Sequence, residues 1–231
     1  MSAATAPDDA YVARVAARVA EVRERIAASS GGRDVALVAV TKTFGPEALV
    51  AAGATGCDAV GENYAQELVA KLDALVQADL LGRVPEVHFI GQLQSNKVRA
   101  LAGRVAVFET VDRRSLAAEI AKRCPGARVL VQADATGEPG KGGCPIDDVP
   151  RLVDEVRSAG LDVVGLMVVG PTEGGAEASR PVFRSVRALV DRLGLTVCSM
   201  GMSDDLEVAV EEGSTQVRVG SALFGPRPPA R

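Results

Sequence analysis

Val35-Ala36-Leu37-Val38-Ala39-Val40 runs straight into Thr41-Lys42-Thr43-Phe44-Gly45. An unbroken run of small and β-branched apolar residues fits a strand buried on both faces, as in a parallel sheet. Lys42 then stands at the C-terminal tip of that strand, where open α/β sheets and barrels collect ligands. Taken alone it reads in two ways. It is a solvated loop lysine, the commoner fate of the residue type, or a partly desolvated amine able to attack a carbonyl and form a Schiff base.

The pattern around this strand repeats. Apolar runs fall at 34–42, 57–62, 86–91, 105–111, 128–134, 162–169, 195–201 and 216–220, and helical stretches lie between them at 46–52, 66–80, 96–102, 115–123, 149–158, 178–193 and 205–211. Strict alternation predicts parallel strands joined by right-handed crossovers. Eight units in about 200 residues suit a closed (β/α)8 TIM barrel. The alternative is a doubly wound open sheet, against which no G-x-G-x-x-G follows the first strand. Ahead of the barrel, Asp8 or Asp9 caps an amphipathic helix over 8–28, which Ser29-Ser30-Gly31-Gly32 stops. No linker divides the chain, so 1–231 reads as one domain, with the barrel over 34–225 and a Pro-rich tail, Gly225-Pro226-Arg227-Pro228-Pro229, at its end.

Composition narrows the function classes. The net charge of −4 argues against a broad nucleic-acid surface. There is no Trp, and only Tyr11, Tyr64 and five Phe supply aromatic rings, so the core is aliphatic. Cys57, Cys124, Cys144 and Cys198 form no CxxC pair and have one histidine, His88, beside them, which disfavours a metal site or a disulfide scaffold. No basic segment precedes an apolar stretch at the N-terminus, and no apolar run reaches membrane-spanning length. A cytoplasmic protein with reduced thiols is expected.

In a barrel, chemistry gathers where strands end. Met200-Gly201-Met202-Ser203 leads into the helix opened by Asp204-Asp205, and Gly220-Ser221 follows the last strand. Hydroxyls and backbone N–H groups at two successive helix starts describe an anion cradle, although Ser203 read alone is an ordinary cap and Gly220 a turn glycine. Asp204 and Asp205 would repel an anion unless they point away or cap the helix. Arg218 alternates with Val217 and Val219, so it points into the barrel mouth. There it needs an acceptor: a ring nitrogen, a phosphate, or a core carboxylate such as Glu62 or Asp134. A strand-tip lysine, a phosphate cradle and an inward arginine together describe a pyridoxal 5′-phosphate (PLP) site. Of the five lysines, 42, 71, 97, 122 and 141, only Lys42 is anchored at a strand tip. Lys71 and Lys122 read as solvated on helix faces, Lys97 opens a helix, and Lys141 lies in a loop.

These segments resemble the pyridoxal phosphate homeostasis proteins, the PLP-binding proteins of the YggS/PROSC type. The resemblance is carried by Val40-Thr41-Lys42-Thr43, Gly61-Glu62-Asn63-Tyr64-Ala65-Gln66-Glu67, His88-Phe89-Ile90-Gly91-Gln92-Leu93-Gln94-Ser95-Asn96-Lys97 and Gly165-Leu166-Met167. It continues through Ser199-Met200-Gly201-Met202-Ser203-Asp204-Asp205 and Val217-Arg218-Val219-Gly220-Ser221-Ala222-Leu223-Phe224-Gly225. It implies a barrel like the alanine racemase N-terminal domain, with PLP on Lys42. Arg218 would face the pyridine nitrogen, Ser203, Gly220 and Ser221 would hold the phosphate, and Asn63 and Met200 would line the ring. Gln92 stands where the family usually has proline, and Val168-Val169-Gly170-Pro171 departs from the usual loop.

The resemblance also implies a carrier serving vitamin B6 balance and no catalytic residue. A racemase of the related fold uses a tyrosine base brought by an added domain and a dimer, whereas this chain ends soon after the eighth strand. The expectation is a monomer that holds PLP and passes it to PLP-dependent apo-enzymes. A PLP-dependent amino-acid racemase or lyase is the alternative. His88 reads as a core residue or one behind the site.

Overall fold

In the computed structural model, which describes residues 5–226, eight strands pair in parallel and the last closes back onto the first. In chain order they are β1 (Ala36–Val40), β2 (Ala59–Glu62), β3 (Glu86–Phe89), β4 (Val107–Val111) and β5 (Arg128–Asp134). A two-residue strand, β6 (Cys144–Pro145), pairs beside the end of β5. The circuit then continues through β7 (Asp162–Met167), β8 (Val197–Ser199) and β9 (Gln216–Val219). Pairing of β4 with β5, and of β1 with both β2 and β9, completes a (β/α)8 barrel with no free edge. The open-sheet alternative is thereby excluded. The first four residues and the part of the Pro-rich tail beyond residue 226 lie outside the described residues.

The helical layer follows the expected order with local differences. α1 (Asp9–Ser30) begins where the Asp8 carboxylate accepts the Tyr11 N–H at 2.6 Å and ends at Gly31 in the left-handed region. Its buried stripe of Val15, Val19, Val22 and Ile26 keeps helical spacing. Each such side chain contributes about 1.5–3 kcal/mol on burial. α2 (Pro46–Ala54), α3 (Ala65–Gln77), α4 (Val98–Leu101), α5 (Arg114–Arg123) and α6 (Val149–Ser158) cover successive crossovers. A single turn, α7 (Gly175–Ala178), precedes the helix expected over 178–193, which is α8 (Arg180–Arg192) with Pro181 in its first turn. α9 (Leu206–Glu211) and the single-turn α10 (Ser221–Phe224) complete the ring.

Alternation along the strands sorts side chains between two layers. Leu37 and Ala39, Val60, Phe89, Val217 and Val219 face the helices in one large apolar core. Val107, Leu130 and Met167 pack together inside the barrel. α1 packs on α9 and α10, with Arg18 donating to the Leu223 carbonyl at 3.3 Å and Arg25 to the Ser203 carbonyl at 3.0 Å. The added helix therefore braces the two loops that follow β8 and β9 from outside.

Candidate functional site

At the C-terminal mouth the register brings the expected residues toward one place. Ala39 is level with Val219, so Val40 lies beside Gly220, and Lys42 stands two residues past the end of β1. A Cβ at Gly220 would meet the Val40 Cβ and carbonyl oxygen at 3.3 Å. The backbone there has negative φ, so glycine serves space rather than conformation. Ser221 opens α10, and its hydroxyl lies 3.5 Å from that of Ser203. The two hydroxyls thus come together from loops 18 residues apart. Ser203 lies ahead of α9, whose N-cap position is Asp205, so it is a loop hydroxyl rather than a cap.

Of the acidic pair, Asp205 is turned away and Asp204 is exposed. The Asp205 carboxylate is buried and takes the Met202 N–H at 2.7 Å and the Ser179 hydroxyl at 3.1 Å, which turns it away from the two serines. Arg218 points inward as expected and is buried, but neither Glu62 nor Asp134 is its acceptor. It donates to Ser199 Oγ at 2.7 Å and to the Val168 carbonyl at 2.8 Å. Burial lowers its pKa against the pull of Glu109 and Asp205.

Asn63 follows β2, and its Oδ1 is buried without a hydrogen-bond partner. It borders a cleft of about 540 Å³ shared with Tyr64, Gln92, Lys97 and Arg113. Met200 differs from its expected place. Its side chain is fully buried in the outer layer against Cys198, on the opposite face from Ser199 and Arg218.

Lys71 is a correction. It is buried, not solvated: its ammonium reaches Glu62 Oε1 and Glu67 Oε1, each at 2.6 Å, and the Thr41 carbonyl at 2.9 Å. Thr41 Oγ1 donates to the same Glu62 oxygen at 2.7 Å, and Glu67 accepts the Thr43 N–H at 2.7 Å. Thr43 holds φ at 70°, a sparsely populated region for a β-branched residue. The backbone on both sides of Lys42 is therefore clamped by α3. Burial raises the Glu62 pKa, opposed by Lys71 and Thr41.

Other groups were not visible as a site from the sequence. His88 is a core residue, and its partner carboxylate, Glu109, comes from the adjacent strand, with Nδ1 to Oε1 at 2.6 Å. A charged residue at an inward position of an apolar strand was the available signal for Glu109, as it was for Arg218. Over the mouth, Lys141 donates to the Gly170 carbonyl at 2.5 Å, and Glu138 accepts from the Thr172 hydroxyl at 2.7 Å, joining the loops after β5 and β7. The four cysteines are free thiols, and burial pushes Cys198 up to about 12. No helix among the described residues is long and apolar enough to cross a membrane.

Known proteins carry the same arrangement of chain. Residues 12–228 match the family model described as alanine racemase, N-terminal domain. The pyridoxal phosphate homeostasis protein of Pseudomonas aeruginosa is 39% identical over 226 residues, with 94% of each chain covered. The crystal structure of an unknown protein from Bifidobacterium adolescentis superposes with a TM-score of 0.85 at 33% identity, covering 96% of this chain and 99% of that one. PipY of Synechococcus elongatus PCC7942, in its structure with PLP bound, superposes with a TM-score of 0.78 at 29% identity, covering 91% and 100%.

Proposed function

The chain belongs to the alanine racemase N-terminal domain family and, within it, to the pyridoxal phosphate homeostasis proteins, and from that premise we propose that it holds PLP on Lys42 as a carrier. The observation behind the reading is the convergence of the Ser203 and Ser221 hydroxyls beside the strand tip that carries Lys42. The residues present fit the group. Asn63 Oδ1 is a buried acceptor awaiting a donor, and Gly220 keeps the floor beside Val40 clear of a side chain.

When bound, PLP supplies an aldehyde that condenses with an amine and a conjugated ring that can accept electrons. Lys42 is the amine. The strained turn at Thr43 and the clamp from Lys71 and Glu67 fix its backbone, so little ordering is left to the moment of binding. Ser203 and Ser221 give hydroxyl donors to the phosphate. Arg218 lies beneath as a donor that cannot itself accept a proton, and opposite the ring it would favour an unprotonated nitrogen. That disfavours the electron uptake on which amino-acid chemistry depends.

The carrier reading is supported by the name of the Pseudomonas relative and by the placement of this chain's two tyrosines. Tyr11 lies on α1, and Tyr64 is 55% exposed. The same reading has a cytoplasmic monomer that supplies PLP-dependent apo-enzymes. Loaded protein incubated with single enantiomers of amino acids is expected to leave their chirality and amount unchanged. Sustained racemisation or decarboxylation, abolished in Lys42→Ala, would replace the carrier with an enzyme.

A further inference from the structure

The barrel interior contains a polar chain that the carrier reading leaves without a role. Arg218 of β9 donates to Ser199 Oγ of β8 at 2.7 Å, and Ser199 donates to Glu109 Oε2 of β4 at 2.7 Å. The other Glu109 oxygen takes the Gln216 amide at 2.8 Å and lies 2.6 Å from His88 Nδ1 of β3. Gln216 also donates to Ser199 Oγ at 3.0 Å. All five residues are buried.

Beneath His88, at the N-terminal end of the barrel, lies a cavity of about 160 Å³ walled by Val38, Val107, Leu130 and Val197. His88 Nε2 faces the Glu86 carboxylate there at 3.7 Å, and Glu86 is held by Arg128 at 2.8 Å. The chain therefore runs from below the Lys42 mouth to the opposite end of the barrel.

A fully buried carboxylate is costly, and an apolar residue would fill the same space more cheaply. Burial alone would raise Glu109, yet the bond from the His88 ring, the nearby Arg218 charge and the Ser199 hydroxyl hold it below the usual carboxylate range. As an anion linked through one hydroxyl to Arg218, it sets where that guanidinium sits and how strongly it donates. Hydrogen bonds in such a chain polarise one another, and any coupling between its two ends is reciprocal.

We infer that Glu109 and His88 are positioning residues for Arg218, and that the chain carries the occupancy of the C-terminal mouth to the imidazole at the far end of the barrel. This rests on the reading in which the ring of PLP lies above Arg218.

His88 is the sole histidine, so labelling histidine with 15N gives one imidazole to follow in the full chain. Adding PLP at fixed pH is expected to move the His88 ring signals. Glu109→Gln is expected to move the maximum of the visible cofactor band while the band stays reducible by borohydride. Ring signals that do not move on full loading, or a band indifferent to Glu109→Gln, would overturn the inference. If Glu109→Gln does not fold, Ser199→Ala cuts the chain at its middle, and loading should no longer move the His88 signals. A wild-type protein that forms no visible band overturns the carrier reading instead. The cofactor-free protein then still tests the chain, because Arg218→Lys should move the His88 signals, and unmoved signals would dismiss it.

Discussion

The ammonium of Lys71 lies 2.9 Å from the carbonyl oxygen of Thr41, the residue immediately before the candidate anchor Lys42. A buried cation on α3 thus fixes the peptide that aims the anchor, and its two carboxylate partners, Glu62 and Glu67, fix that cation in turn. Removing one member of a buried pair leaves an uncompensated charge, which costs about 3–5 kcal/mol. Lys71→Met should lose that much stability in urea unfolding, and adding Glu62→Gln should restore a large part of it.

The loss in Lys71→Met has a defined pH dependence. Burial holds Glu62 above its ordinary pKa against the pull of Lys71 and Thr41, and losing Lys71 removes the larger opposing charge. A carboxyl raised in this way contributes fully below its unfolded pKa and loses that contribution as pH rises through the folded one. The variant should therefore be closest to wild type in mildly acidic urea titrations and furthest from it at alkaline pH. Equal deficits at both would show that Glu62 is not the stranded group.

Ser203 and Ser221 bring hydroxyls from separate loops to 3.5 Å. A hydrogen bond to a charged group contributes about 1.5–3 kcal/mol, so either serine changed to alanine should weaken PLP affinity about 10- to 100-fold. Neither side chain is buried, and the melting temperature of the PLP-free variants should stay near wild type. Absorbance titration against PLP reads the first effect and calorimetry the second.

Glu138 joins the loops over the mouth. The Thr172 hydroxyl, with Lys141 and the Thr172 N–H, holds its carboxylate down at about 2. For a depressed carboxylate the contribution is present above its unfolded pKa and is lost as pH falls through the folded value. The Thr172 amide signal should therefore titrate in acid, reaching its midpoint at about 2. In Glu138→Gln that step should vanish.

Much of this was legible in sequence because parallel strands buried on both faces leave long apolar runs, and each run here ends at a polar strand tip. The strands, their order and closure, and the inward direction of Arg218 follow from that punctuation. What escaped depends on distances between strands or layers. Lys71 shares the buried stripe of α3 with Leu68, Leu72 and Leu75, so its position was readable, but its charge reads as solvated until the approach of α3 to β1 and β2 supplies the Glu62 and Thr41 acceptors. Glu109 and His88 are separated by 21 residues and meet because β3 and β4 pair. Met200 sits one residue from the inward Ser199, and alternation turns its side chain to the outer layer.

The central claim concerns one amine. Protein loaded with PLP, reduced with borohydride and digested should carry the reduced cofactor mass on the peptide containing Lys42, and Lys42→Ala should show neither the visible band nor the modified peptide. Modification at Lys97 or Lys141 in the wild type, or a reducible band that survives Lys42→Ala, would contradict it.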